Sequence, residues 1–360
     1  MRYPSLDILR TIAIIVMVLA HFAGNLSGYK LPISGLGAPL FTFLSGVSYR
    51  LWINGLVTKG VRDEEISKIS IRRGLFVFGV GFAFNILVWL PEDTFNWDVL
   101  TFIGSAILLL NLLRHQPLMI PVAIALTSIF ISPVLRAITD YPAYWINYYF
   151  EADLTLSEVL IGYFVTGYFP IFPWITYSLT GFIVASMMFP EDQSEKPGVG
   201  KFLSFGGVLI CCGVSLLVFG ERFADPLQQY FFTGWTMFPA STEYVLITVG
   251  SAILLFCLLH QFVDLHPRLP EQKHRFQIFK VFSRYAFTIY LLHHIVHLWP
   301  LWIYGIAQGQ EATEYWQKAM SVSVSLPLAV LFLALCYFIL RRLDPEKRYG
   351  MEQWMRWLCG

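Results

Sequence analysis

Apolar stretches of roughly 20 residues, separated by short polar segments, recur along this chain. A helix needs about 20 predominantly apolar residues to cross the hydrocarbon of a bilayer. Windows of that length predict ten spans, at roughly 7–26, 33–54, 72–90, 98–113, 117–135, 170–189, 202–219, 243–263, 283–303 and 319–340. The fourth is short and prolines interrupt the sixth. The expected fold is all-α: a polytopic integral membrane protein of about ten transmembrane helices, forming one domain over 1–360 with no soluble domain appended. The first span has the basic flank of a secretory signal, but Arg10, His21 and Asn25 interrupt it, so it is read as a retained helix.

Composition agrees: 56% of residues are hydrophobic and 14% charged, against about 25% charged in soluble domains. The charges also orient the chain, because Lys and Arg concentrate on the cytoplasmic side. With both termini cytoplasmic, only Lys30, Arg136, Arg222 and Lys318 of the 25 basic residues fall outside. The acidic residues divide evenly, so the inner face carries +9 and the outer −8, matching the formal net charge of +1. A wrong helix count would scramble that division. The five cysteines show no metal spacing and read as small apolar packers. The lipid bilayer is the expected surrounding, no nucleic-acid partner is expected, and the sequence sets no oligomeric state.

Ionisable groups inside spans are costly and face cavities or partners. Arg10 and His21 lie eleven positions apart in LDILRTIAIIVMVLAHFAGN. Eleven residues turn a helix to about 20° past three full turns and advance it about 16 Å, so both project from one face. Asp7 and Asn25 extend that stripe. Taken singly, Arg10 reads equally as a snorkelling anchor, paired or not to Asp7, and His21 as a helix-packing residue. Together they describe a lined path. In the ninth span His293 and His297 are four apart and share a face, while His294 is expected to point elsewhere. That spacing suits a metal, but no carboxylate lies in the span to complete a site. Interhelical bonding or cavity lining is the preferred reading, with no metal expected. Asp98 reads as an N-terminal cap or as a group orienting the His21 imidazole. The longest outer loop, about 136–169, holds Tyr141, Tyr144, Trp145, Tyr148, Tyr149 and Phe150, followed by Glu151, Asp153 and Glu158. It reads as interfacial anchors or as a platform for a sugar-like acceptor.

A histidine near neutral pKa can serve either as general base or as nucleophile. Candidate donors to the developing oxyanion are Asn25, Ser45 and Trp174. Arg10, Arg50, Arg72 and Arg73 fall at predicted cytoplasmic helix ends, where clustered arginines bind phosphate groups well.

The stretches SLDILRTIAIIVMVLAH (5–21), GAPLFTFLSGVS (37–48), FPIFPWITYSLTGFIVA (169–185) and YLLHH (290–294) resemble the transmembrane acyltransferase superfamily, which includes bacterial glycan O-acyltransferases and heparan-alpha-glucosaminide N-acetyltransferase-like proteins. They follow the order that the family shows, and the second and third lean towards the heparan-type branch. The resemblance implies an enzyme moving an acyl group, usually acetyl, from cytoplasmic acyl-CoA to a carbohydrate or glycoconjugate acceptor across the membrane. It implies His21 as the catalytic residue and Arg10 as a group that holds the donor or shapes its channel. Some heparan-type members place the catalytic histidine in the following outer loop, but residues 26–36 hold none here. A bacterial inner membrane is the implied location. The competing reading is a proton-coupled small-molecule transporter or exporter, which would show symmetric halves or an acidic relay at mid-depth. Neither is visible, because nearly all 24 carboxylates fall in loops or at helix ends.

Overall fold

The computed structural model describes residues 2–89, 91–146, 149–190, 198–223, 231, 233–266, 276–343 and 349–360. Among them the chain is almost entirely helical. The helices begin with α1 Pro4–Ser27, α2 Gly37–Thr58, α3 Asp63–Phe84, α4 Val99–Leu113, α5 Met119–Ile138 and α6 Leu156–Ile161. There follow α7 Ile171–Met188, α8 Val199–Phe219, α9 Thr242–Leu259, α10 Gln277–Arg284, α11 Ala286–Ala307, α12 Val322–Leu340 and α13 Met351–Cys359. Between α5 and α6 lies a short hairpin, β1 Trp145–Ile146 against β2 Tyr149–Phe150, pairing Trp145 with Phe150.

Eight of these helices are long and apolar enough to cross a membrane: α1, α3, α5, α7, α8, α9, α11 and α12. The chain is an integral membrane protein. Two of the ten predicted spans fall short of that standard. α4 has only 15 residues; α2 has 22, but Ser, Thr, Asn, Gly and Arg dilute its apolar content. The third span begins earlier than expected. Residues 63–71, read as part of an inner loop, form the first turns of α3, where Asp63, Glu64 and Glu65 meet the positive end of the helix dipole. Arg72 and Arg73 therefore lie within a helix rather than at its end. The predicted basic residues Lys196, Arg268, Lys273, Arg275, Lys347 and Arg348, and the loop residue Tyr148, lie outside the described residues.

Contacts divide the chain into two compact units, one spanning 39–261 and the other 2–38 with 262–360. In the first, the principal helix pairs are α3 with α4, α5 with α7, and α8 with α9. There α2 also meets α7 at a glycine crossing. A Cβ on Gly46 would stand 1.9 Å from the Ser178 carbonyl oxygen, and one on Gly181 would stand 2.0 Å from that of Phe43. Such close approach is what small residues permit between membrane helices. Ser45 Oγ lies 3.0 Å from Ser178 Oγ, which in turn donates to Thr42 O at 3.1 Å across the same crossing.

The second unit is a bundle around α1, which packs on α10, α11 and α12. Pro4 opens α1 in its first turn, where a missing N–H costs nothing. Gly28 closes it at φ 66°, its N–H donating to Gly24 O while the Tyr29 N–H donates to Ala23 O. That left-handed position is the usual place for glycine beyond a helix end. Leu9, Ile14, Val18 and Ala23 are fully buried along the helix, which leaves its polar stripe to find partners of its own.

Candidate active site

Each member of the α1 stripe has a partner in the second unit. The Asp7 carboxylate accepts from Arg2 Nε at 2.6 Å and from an Arg2 terminal nitrogen at 3.0 Å. Arg2, which precedes the helix, thus forms a forked bridge to Asp7 in its first turn, a partner that the spacing of Asp7 and Arg10 did not indicate. Arg10 donates to Ser283 Oγ on α10 at 3.1 Å. His21 and Asn25 meet α11. His21 Nδ1 lies 2.8 Å from His293 Nε2, and Asn25 Nδ2 lies 2.9 Å from His297 Nε2. Both pairs are spaced four residues apart on their own helices, so two one-turn ladders engage rung to rung.

The rings are closely packed. His21 and His293 are near-parallel with centroids 5.1 Å apart. His294 does not point elsewhere: its ring centroid is 4.5 Å from that of His21 and 4.0 Å from that of His293. Despite the rotation of about 100° between neighbours, both rings lie against the His21 ring. Tyr290 packs edge-on against both, with centroids 5.6 and 5.8 Å away. His293 and His294 are buried, whereas His21 and Asn25 are partly exposed.

His21, His293 and His294 offer ring nitrogens that all lie within 4.8 Å of one another. Three imidazoles are a known donor set for zinc. Two nitrogens on one tetrahedral zinc, each at about 2.0–2.1 Å, would stand about 3.3 Å apart. His21 and His293 are closer than that, at 2.8 Å, which is hydrogen-bond geometry.

The remaining predicted site residues belong to the first unit. Asp98 accepts the Leu100 N–H at 2.9 Å and caps α4. Ser45 donates to Thr42 O at 2.7 Å besides meeting Ser178. Arg73 stacks over the Trp52 ring at 4.4 Å, Arg50 is partly buried on α2, and Arg72 is exposed. Trp174 lines a small cleft with Arg136, Tyr141, Tyr168 and Phe238, of about 10 Å³, room for roughly one water. Arg136 donates there to Ser132 Oγ at 2.8 Å and Ala240 O at 3.2 Å. The outer aromatics pack on one another: Tyr141 stacks on Trp145, and Trp145 on Phe238. Burial pushes the Tyr141 and Tyr168 phenols up, keeping both neutral. Glu158 accepts the Asp153 N–H at 2.5 Å. Sequence reasoning missed Ser283 and His294 as neighbours of the stripe, although the HH pair in YLLHH carried the signal for the latter.

The sequence model described as heparan-alpha-glucosaminide N-acetyltransferase, catalytic, matches residues 2–220. The chain belongs to this acetyltransferase family. The match covers α1, with Arg10, His21 and Asn25, and continues through α8. It ends before α11, so the histidines that meet His21 lie beyond the matched residues. No curated protein matches the chain.

Proposed function

We propose that the chain moves an acetyl group from cytoplasmic acetyl-CoA to a carbohydrate-type acceptor on the outer face of a bacterial inner membrane. In this reading about ten spans, with both termini inside, make one catalytic domain. His21 Nε2 takes the proton of the acceptor hydroxyl or amine as that group attacks the thioester carbonyl. The same proton then passes to the departing CoA sulfur. Asn25 has two amide N–H donors; one is directed at His297 Nε2 and the second serves the developing oxyanion one turn from His21. Arg10, about 16 Å down the helix, meets the donor's phosphates.

The observation that carries this reading is the pairing of His21 with His293. It leaves the other ring nitrogen of a partly exposed imidazole without a hydrogen bond among the described residues. The test compares wild type with His21→Ala, purified in detergent with matched size-exclusion profiles, for consumption of radiolabelled acetyl-CoA with a glycan panel. Turnover by wild type and binding without turnover by the variant support His21 as catalytic. Equal turnover by both, or binding by neither, refutes the reading and brings the transporter forward.

A further inference from the structure

The proton on His21 can be located from the hydrogen bonds around its partner. His293 Nδ1 faces two backbone carbonyls of its own helix, Tyr290 O at 2.5 Å and Ile289 O at 3.2 Å. Carbonyl oxygens only accept, so His293 Nδ1 carries the proton. A neutral imidazole has one donor and one acceptor nitrogen, which makes His293 Nε2 the acceptor. The nitrogen facing it at 2.8 Å is His21 Nδ1, which must therefore be the donor. The second rung follows the same logic. His297 Nδ1 donates to His293 O at 2.5 Å, so its Nε2 accepts the Asn25 amide N–H.

We infer that His293 is a positioning residue that holds His21 in the Nδ1–H tautomer, with the Nε2 lone pair turned outward for the reaction. This inference rests on the acyltransferase reading only for its purpose; the tautomer stands on the geometry. Histidine in water prefers its proton on Nε2, the atom that must be bare to act as the base here. The hydrogen bond at one ring nitrogen decides which one is protonated, and His293 is fitted to impose that choice. It is fully buried at 0% exposure, and its own orientation is fixed by backbone atoms three and four residues back along α11.

The chemistry balances. The acceptor's heteroatom bonds to the acetyl carbon, the carbon–sulfur bond breaks, and the acceptor's proton passes through His21 Nε2 to the CoA thiolate. While His21 holds both protons it is cationic, and its bond to His293 becomes charge-assisted and stronger. His293 thus has the role that a buried carboxylate has in a Ser-His-Asp triad, performed by a neutral ring.

The test uses full-length protein labelled with [15N]histidine in detergent. The His21 signals are assigned by subtraction against His21→Ala. In wild type, His21 Nδ1 is expected to show the shift of a protonated nitrogen and Nε2 that of a bare one. His293→Phe, which keeps a ring but removes the acceptor, is expected to abolish that bias. The same substitution should lower kcat about 100-fold with KM for acetyl-CoA unchanged. His293→Gln, whose side-chain carbonyl takes the place of Nε2, should restore kcat to within about tenfold of wild type. Reversed 15N shifts in wild type overturn the inference, as does equal loss in the Phe and Gln variants. Stoichiometric zinc in the purified protein, with shifts of metal-bound nitrogens, also overturns it. Wild type with the expected tautomer but no acetyl transfer refutes the enzyme reading while upholding the assignment.

Discussion

Replacing Gly46 by alanine would put a methyl carbon 1.9 Å from the Ser178 carbonyl oxygen, where ordinary contact begins at 3.4 Å. About 1.5 Å must then be found, and the three nearest atoms are all helix backbone, so α2 and α7 have to part. Overpacking of this kind costs roughly 1–3 kcal/mol. The same parting stretches the Ser178–Thr42 hydrogen bond, worth about 0.6 kcal/mol between membrane helices. The expected loss is about 2–4 kcal/mol, or roughly 5–15 °C in midpoint for a unit of this size. Gly181→Ala makes a matching collision with Phe43 O at 2.0 Å and should cost about as much. The double variant distinguishes this mechanism from a general intolerance of substitution. Once the helices have parted for one methyl the second finds room, so the pair should cost little more than either alone. The assay is heat challenge followed by size-exclusion chromatography in one fixed detergent. Single variants within about 1 °C of wild type, or a double variant showing the full sum, would refute the reasoning.

Three further outcomes follow from the second unit. Asn25→Ala and His297→Phe should each lower kcat, and their double-mutant cycle should show coupling of about 1 kcal/mol; independent effects would remove the second rung from the site. Arg10→Ala should raise KM for acetyl-CoA about tenfold, equivalent to about 1.4 kcal/mol, with a dephospho-donor analogue showing whether phosphate is the group lost. Glu352 accepts from Phe287 N at 2.7 Å, Thr288 N at 3.1 Å and Thr288 Oγ1 at 2.5 Å, and burial pushes its carboxyl above the ordinary 4.5 despite the lowering effect of those bonds. Its folded pKa exceeds its unfolded value, so its contribution is full below about 4.5 and is lost as pH rises through the folded pKa. Glu352→Gln should flatten that slope in melting curves taken from pH 4 to 8, and parallel curves for the two proteins would count against it.

Much of this architecture was legible because membrane helices announce themselves by length and apolarity, and the helical period alone aligned Asp7, Arg10, His21 and Asn25. The partners were not legible. His21 and His293 are 272 positions apart, and no local period connects two helices at that separation. Local spacing left Asp7 with or without Arg10 as a partner and gave no sign of Arg2, which lies outside the helix. Asp63, Glu64 and Glu65 looked like loop because they are charged, yet charge of that sign is favoured in the first turn of a helix. The GAPLFTFLSGVS and FPWITYSLTGFIVA stretches were read for their resemblance, while their physical content, Gly46 against Gly181, emerges only when the two helices are brought together.

The order of the two rungs has a topological consequence. Because His21 meets His293 and Asn25 meets His297, α1 and α11 run in the same direction. If both traverse the bilayer, the chain has to return to its starting side between them, which takes an odd number of crossings. Among the described residues, α3, α5, α7, α8 and α9 supply five. The apolar helix at Leu156–Thr166 is about 16 Å long and too short to cross, so parity ties α2 and α4 together: both cross, or neither does. A single accessibility label in the 28–36 connection, scored against one in the 59–62 connection, would decide the pair at once.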